Sequence, residues 1–127
     1  MARRPGTKFV NAVKTAANAT RLIPFEFNVE QTYVLEFGNE YFRIHKDGGT
    51  VVSSGSPVEV TTVYTSAQVA ELKYVQSADI MYIVHPSHPV YQITRTSDTA
   101  WTFTAVTFRR GPMQDDNITD TTLVANG

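Results

Sequence analysis

Two histidines three residues apart, each followed by proline, are the residues of this sequence best suited to chemistry; they stand in Ile83-Val84-His85-Pro86-Ser87-His88-Pro89. Paired imidazoles can hold a transition metal or pass a proton. The spacing is not that of a zinc protease, whose two histidines lie one helical turn apart with a glutamate between them. Proline after each histidine biases both toward extended or polyproline backbone. At a rise of about 3.1 Å per residue their Cα atoms would stand roughly 9 Å apart, so one ion could join them only through converging side chains. His45, Asp79 or another residue would have to supply a third ligand, and no spacing points to one. The preferred reading is a stiff turn at Pro86 and Pro89 that closes a hairpin, with His45, His85 and His88 no more than candidate ligands and no metal expected.

The remaining polar residues point the same way. Asp79 follows Gln76-Ser77-Ala78 and precedes the apolar run Ile80-Met81-Tyr82-Ile83-Val84. An acid there can serve as a general base, but at a strand entrance its usual work is to accept backbone N–H groups in a turn. Glu26, Glu30, Glu36 and Glu40 form no acid/base pair that spacing reveals. There is no GxSxG, no phosphate-binding glycine loop and no kinase signature. Arg3-Arg4 and Arg109-Arg110 flank the chain's body and read as solvated charge in preference to a phosphate-contacting patch. Trp101, the one tryptophan, opens a strand and reads as an anchor packed on the sheet. No catalytic residue and no cofactor are expected.

The elements that must position these residues are strands. With 127 residues the chain suffices for one domain with a core, expected over residues 1–110. The formal net charge of -1 gives no global field toward nucleic acid or an anionic membrane. Cysteine is absent, which excludes disulfides, thiolate nucleophiles and cysteine-ligated zinc. No apolar run approaches the roughly 20 residues that span a bilayer, and the opening MARRPGTKFV has no signal-peptide core. The chain reads as made in the cytoplasm.

TKFVNAV, RLIPFEFN, TYVLEFG, EYFRIHK, VEVTTVY, LKYVQ, DIMYIVH, VYQITR and AWTFTAVTF are short, β-branched and aromatic, and bounded by turn formers. The fold class is therefore all-β, with antiparallel, meander-rich sheets arranged as a propeller-like blade or a small sandwich. Tyr33 to Phe37 and Tyr41 to Ile44 read as a hairpin about Gly38-Asn39, and Asp47-Gly48-Gly49 supplies the φ > 0 residues of the next reversal. One short helix is expected near 66–72 in YTSAQVAEL, with Thr65 and Gln68 in a capping-box arrangement and Val69 and Leu72 facing inward. Val52 to Pro57 reads as a polar loop. Residues 111–127, rich in Asp, Asn and Thr, read as a polar tail or a linker toward a further domain.

Taken in order, RRPGTKFV, RLIPFEFNVEQTYVLEFGNEYFRIHKDGG, LKYVQSADIMYIVHPSHPVYQITR, WTFTAVTF and GPMQDDNITDTTL form a more specific signal than any single motif. From Arg3 to Leu123 the chain resembles the N-terminal part of a family of large tail proteins of tailed phages and prophages. These are similar to the tail tubular protein B, or nozzle, proteins of short-tailed phages, and some carry an FCCH-domain label.

The resemblance implies a β-propeller-based virion subunit that assembles as a ring, commonly a hexamer, around the channel through which DNA is ejected. It implies other tail or adaptor proteins as partners, passing DNA bound without sequence specificity, no membrane insertion by this segment and no catalytic residues. Family members are longer and begin upstream of the RRPG segment, so Met1 is expected to be an internal start. The alternative is a carbohydrate- or receptor-binding β domain that uses Tyr64, Tyr91 or Trp101 as exposed aromatic platforms. An enzyme, a metal-assisted hydrolase on the three histidines, ranks third.

Overall fold

The computed structural model describes residues 6–28, 30–109 and 111. Eleven strands account for most of the regular structure: β1 (Arg21–Glu26), β2 (Thr32–Gly38), β3 (Tyr41–Lys46), β4 (Gly49–Thr50), β5 (Val52–Ser53), β6 (Ser56–Pro57), β7 (Glu59–Thr61), β8 (Lys73–Ser77), β9 (Ile80–His85), β10 (His88–Arg95) and β11 (Trp101–Ala105). Every pairing is antiparallel. The first sheet runs β1-β2-β3-β4, with β7 also paired to β3; the second is the meander β8-β9-β10-β11; β5 and β6 make a small ribbon. The all-β expectation holds.

Alternation along the strands builds one core between the two sheets. Ile23 and Phe25 of β1, Tyr33, Leu35 and Phe37 of β2, and Phe42 and Ile44 of β3 are buried in one cluster with Met81, Ile83, Ile93 and Trp101 of the second sheet. Trp101 meets Phe25 and Tyr33 edge-on, with ring centroids 5.0 and 5.3 Å apart. Such pairs add about 0.5–1.5 kcal/mol beyond the area they bury. Its indole N–H donates to the Asp98 carbonyl at 3.0 Å, so the ring is fixed by a bond as well as by packing.

The turns show which residues bear backbone strain. Asp47 and Gly48 have φ of 51° and 73°, and Ser54 and Gly55 have 51° and 82°, the two positive values that a two-residue hairpin loop demands. At the β2–β3 turn, however, Glu40 takes the positive φ of 62°. It is held there from outside the hairpin, since its N–H donates to the Tyr64 carbonyl and its own carbonyl accepts from Thr62. Gly38 serves a different need. A β-carbon there would fall inside the Tyr41 ring, so the glycine makes room for that side chain.

Four expectations need correction. The helix near 66–72 is a single 3-10 turn, Val69–Glu71. The Gln68 carboxamide does accept the Thr65 N–H at 3.1 Å, but Leu72 already has ψ of 131° and hands the chain directly to β8. Val69 and Leu72 are buried as expected. TKFVNAV is not assigned as a strand; residues 7–13 find no ladder partner among the described residues and form an irregular arm. The supposed loop Val52 to Pro57 is the β5–β6 ribbon. His85 and His88 are not held 9 Å apart. Pro86-Ser87 is a two-residue turn that folds them into a facing cross-strand pair, with ring centroids 5.3 Å apart.

The tail expected over residues 111–127, apart from Gly111, lies outside the described residues, as do Arg3, Arg4 and Arg110.

Candidate functional site

The densest polar arrangement lies on the outer face of the first sheet. The register Glu36↔Arg43 puts Glu36 diagonally between Tyr41 and His45, one position pair away in each direction. Glu36, only 3% exposed, accepts from the Tyr41 hydroxyl at 2.9 Å on one carboxylate oxygen, and its other oxygen lies 2.9 Å from His45 Nε2. His45 Nδ1 lies 3.0 Å from Thr50 Oγ1, which accepts from Asn11 Nδ2 at 2.9 Å. The proton placement follows: Nε2 carries the hydrogen toward the carboxylate, and Nδ1 accepts from the threonine hydroxyl.

Acid, imidazole and hydroxyl in this order have the composition of a nucleophilic relay. Yet each member is spent inside the network. Both Glu36 oxygens are occupied, both His45 nitrogens are occupied, and Thr50 Oγ1 donates to His45 while accepting from Asn11. A buried carboxylate needs such partners merely to be tolerated. Burial, and then the bond to Glu36, push the Tyr41 phenol above its ordinary range, so it stays a donor.

The arm completes this face. Asn11 bonds Thr50, and Lys14 pairs with Glu59, which also receives Arg43 Nε at 2.9 Å. Burial pushes the Glu59 carboxyl up, but the bonds from Lys14 and Arg43 outweigh it and hold the group below its usual range. Between arm and sheet remains a cleft of about 330 Å³ floored by Val34, Glu36 and His45 and walled by Val10, Val13 and Leu22.

A second hub joins the two sheets. Asp98, in the β10–β11 turn, accepts from the Tyr33 hydroxyl, from Lys46 Nζ at 2.8 Å and from Arg95 Nη2 at 2.9 Å. The bonds from Lys46, Tyr33 and Arg95 hold its carboxyl far below the usual range. Arg95 also lies over the Phe27 ring at 4.1 Å. Sequence reasoning passed over Asp98, which stands in a short polar stretch between two strand-like segments.

The candidate ligands do not converge. His45 belongs to the first-sheet network, while His85 and His88 close the β9–β10 hairpin. His85 Nδ1 accepts the Ser87 N–H at 3.1 Å, which leaves the proton on Nε2. That Nε2 is buried and 3.2 Å from Glu71 Oε2, off hydrogen-bond alignment. His88 Nε2 is 3.1 Å from Gln68 Oε1. Among the described residues no three His, Asp or Glu side chains group as metal ligands.

Asp79 sits in the β8–β9 turn beside Ala78, whose φ is 50°. Among the described residues its carboxylate gathers no backbone N–H groups; Oδ1 is 4.0 Å from Arg95 Nη1 and finds no hydrogen bond there. Pro86 occupies the β9–β10 turn, and Pro89 falls at the irregularity between His88 and Tyr91, where a missing N–H is tolerated. Of the aromatic platforms required by a sugar-binding reading, Tyr64 and Trp101 are buried, at 0% and 7% exposed, and Tyr91 is half-buried, stacked on Phe103 at 4.4 Å. Burial, and then Tyr91, push the Tyr64 phenol up to about 12.

No family model matches this chain, and no curated protein matches it.

Proposed function

We propose that the chain is a structural piece of a phage or prophage tail, of the tail tubular protein B or nozzle type. In this reading it assembles as a ring, a hexamer by resemblance, around the DNA ejection channel and contacts other tail or adaptor proteins. It is made in the bacterial host cytoplasm, ends in the virion tail and performs no bond chemistry. The four-stranded meander β8-β11 is the unit a propeller blade would contribute.

One observation supports this more than any other. The acid, imidazole and hydroxyl of Glu36, His45 and Thr50 are consumed by internal bonds, whereas large apolar side chains are left at the surface, Val75 at 64%, Leu22 at 63% and Val84 at 39% exposed. A surface of that kind suits contact with protein. The balance of eleven basic and twelve acidic residues suits a conduit wall, because strong phosphate neutralisation would retain passing DNA. No helix among the described residues is long and apolar enough to cross a membrane.

Immunogold labelling tests the proposal. With antibody raised against this chain, gold is expected at the tails of particles released from the source culture. Particles without label, from cells whose lysate contains the chain, would overturn it.

A further inference from the structure

The two sheets end differently at their edges. In the first sheet β1 is an edge strand with Pro24 at its centre, and the opposite side is occupied by the short β4 and β7. Proline removes a ladder donor and blunts an edge against pairing. In the second sheet both edges lack proline. β8, KYVQS, has Lys73, Tyr74, Val75 and Ser77 exposed; β11, WTFTA, has Thr102, Thr104 and Ala105 exposed. Lys73 is the sole charge on either strand.

We propose that the second sheet continues from copy to copy, with β8 of one chain pairing antiparallel against β11 of the next. The occupant of each edge is thus a second copy of this chain. The inference rests on the assembly reading above and names its contact. Three features favour this head-to-tail pairing. An antiparallel meander of four strands has edges running in opposite directions, so the same contact can repeat by simple rotation. Both edge strands are five residues long. Their faces also match in one register.

Val75 lies opposite Tyr82 and points outward, while Tyr74 lies opposite Ile83 and points to the core side. In β11, Phe103 lies opposite Ile93 on the core side and Thr102 opposite Thr94 on the outer side. Side chains directly across a ladder share a face. Setting Tyr74 against Phe103 therefore sets Val75 against Thr102 and Lys73 against Thr104. That register gives Tyr74, 40% exposed, an aromatic neighbour and leaves no like charges opposed.

The absence of native cysteine makes a disulfide test clean. Val75→Cys and Thr102→Cys are both at exposed or edge positions on the outer face. Within one chain they sit on opposite edges, about 14 Å apart across three strand spacings, too far for an internal bond. A chain carrying both substitutions is expected to give a series of covalent multimers on mild oxidation. An equimolar mixture of the two single variants is expected to stop at dimers, and each single variant alone is expected to stay monomeric on a non-reducing gel.

Cross-linking of Val75→Cys with itself would show a two-fold β8–β8 contact and overturn the proposal. Absence of any cross-link in the double variant would overturn it as well. Sedimentation of the unsubstituted chain separates that result from failure of the assembly reading: multimers without cross-links mean the copies meet elsewhere, whereas a monomer at high concentration removes both.

Discussion

The outer faces of the two sheets have been finished in different ways. On the first, Glu36, His45, Tyr41 and Thr50 are tied together and then overlain by the arm through Asn11 and Lys14. On the second, exposed Val75 and Val84 and half-buried Ile80 and Tyr82 share an outer surface with Lys73, threonines and Gln92. The contrast lies in what is enclosed: Glu36, an acid, is buried on the first face, while Val75 and Val84, apolar residues, are exposed on the second. The first face is partly overlain by its own chain, while the second is the one the proposed contact between copies would extend.

The core they share supplies the largest test. Trp101→Ala removes the ring that touches Phe25 and Tyr33 across the sheets, and should lower the unfolding free energy by about 3–5 kcal/mol in urea titration. A loss below about 1 kcal/mol would mean that the sheets do not depend on one another.

Glu36→Ala probes the enclosed face alone. It strands the Tyr41 hydroxyl and the His45 N–H without their acceptor, at an expected cost of about 2–3 kcal/mol. Glu36→Gln keeps an acceptor oxygen and should cost less. Equal, negligible losses would show that the network is decorative.

Asp98→Asn is expected to cost about 1 kcal/mol at neutral pH, discounted for the carboxylate's partial exposure. Its pH dependence has a defined sign. The folded carboxyl has a depressed pKa, so its contribution is fully present above the unfolded value of about 3.9 and is lost as pH falls through the folded value. The stability gap between the unsubstituted chain and Asp98→Asn should therefore narrow below about pH 4. A gap that widens on acidification would contradict the three hydrogen bonds.

Val75→Lys should change stability least, within about 0.5 kcal/mol, because the side chain is already in solvent. Its expected effect is on self-association seen by sedimentation. It thereby separates the exposed outer surface from the Glu36 network, where substitution should register in folding.

The strands were legible because alternation and turn chemistry agree over most of the chain. RLIPFE, TYVLEFG and IMYIVH keep the pattern that a half-buried strand requires, and the structure follows it. The arm was misread because β texture states only that a segment can pair; TKFVNAV has the texture and no ladder partner among the described residues. The helix shrank because β8 must begin at Lys73, leaving the sequence after Gln68 room for one turn only.

The Glu36 network was one residue of register away from the sequence. A turn at Gly38-Asn39 would set Glu36 opposite Tyr41 and leave His45 opposite Thr32; the actual turn, Asn39-Glu40, places Glu36 diagonal to both Tyr41 and His45. The overlying Asn11 and the Lys46–Asp98 contact were beyond reach, since they join residues 39 and 52 positions apart through tertiary packing.

The glycine at 38 has a consequence for how this sequence can vary. Because the Tyr41 ring fills the space of a β-carbon there, the two positions cannot drift independently. Any homologous chain that acquires a side chain at 38 should show a smaller residue at 41. The acid at 36, having lost its hydroxyl partner, should then tend to be replaced too. A three-site covariation, spaced two and three residues apart, is the mark that one crowded hairpin end should leave in an alignment.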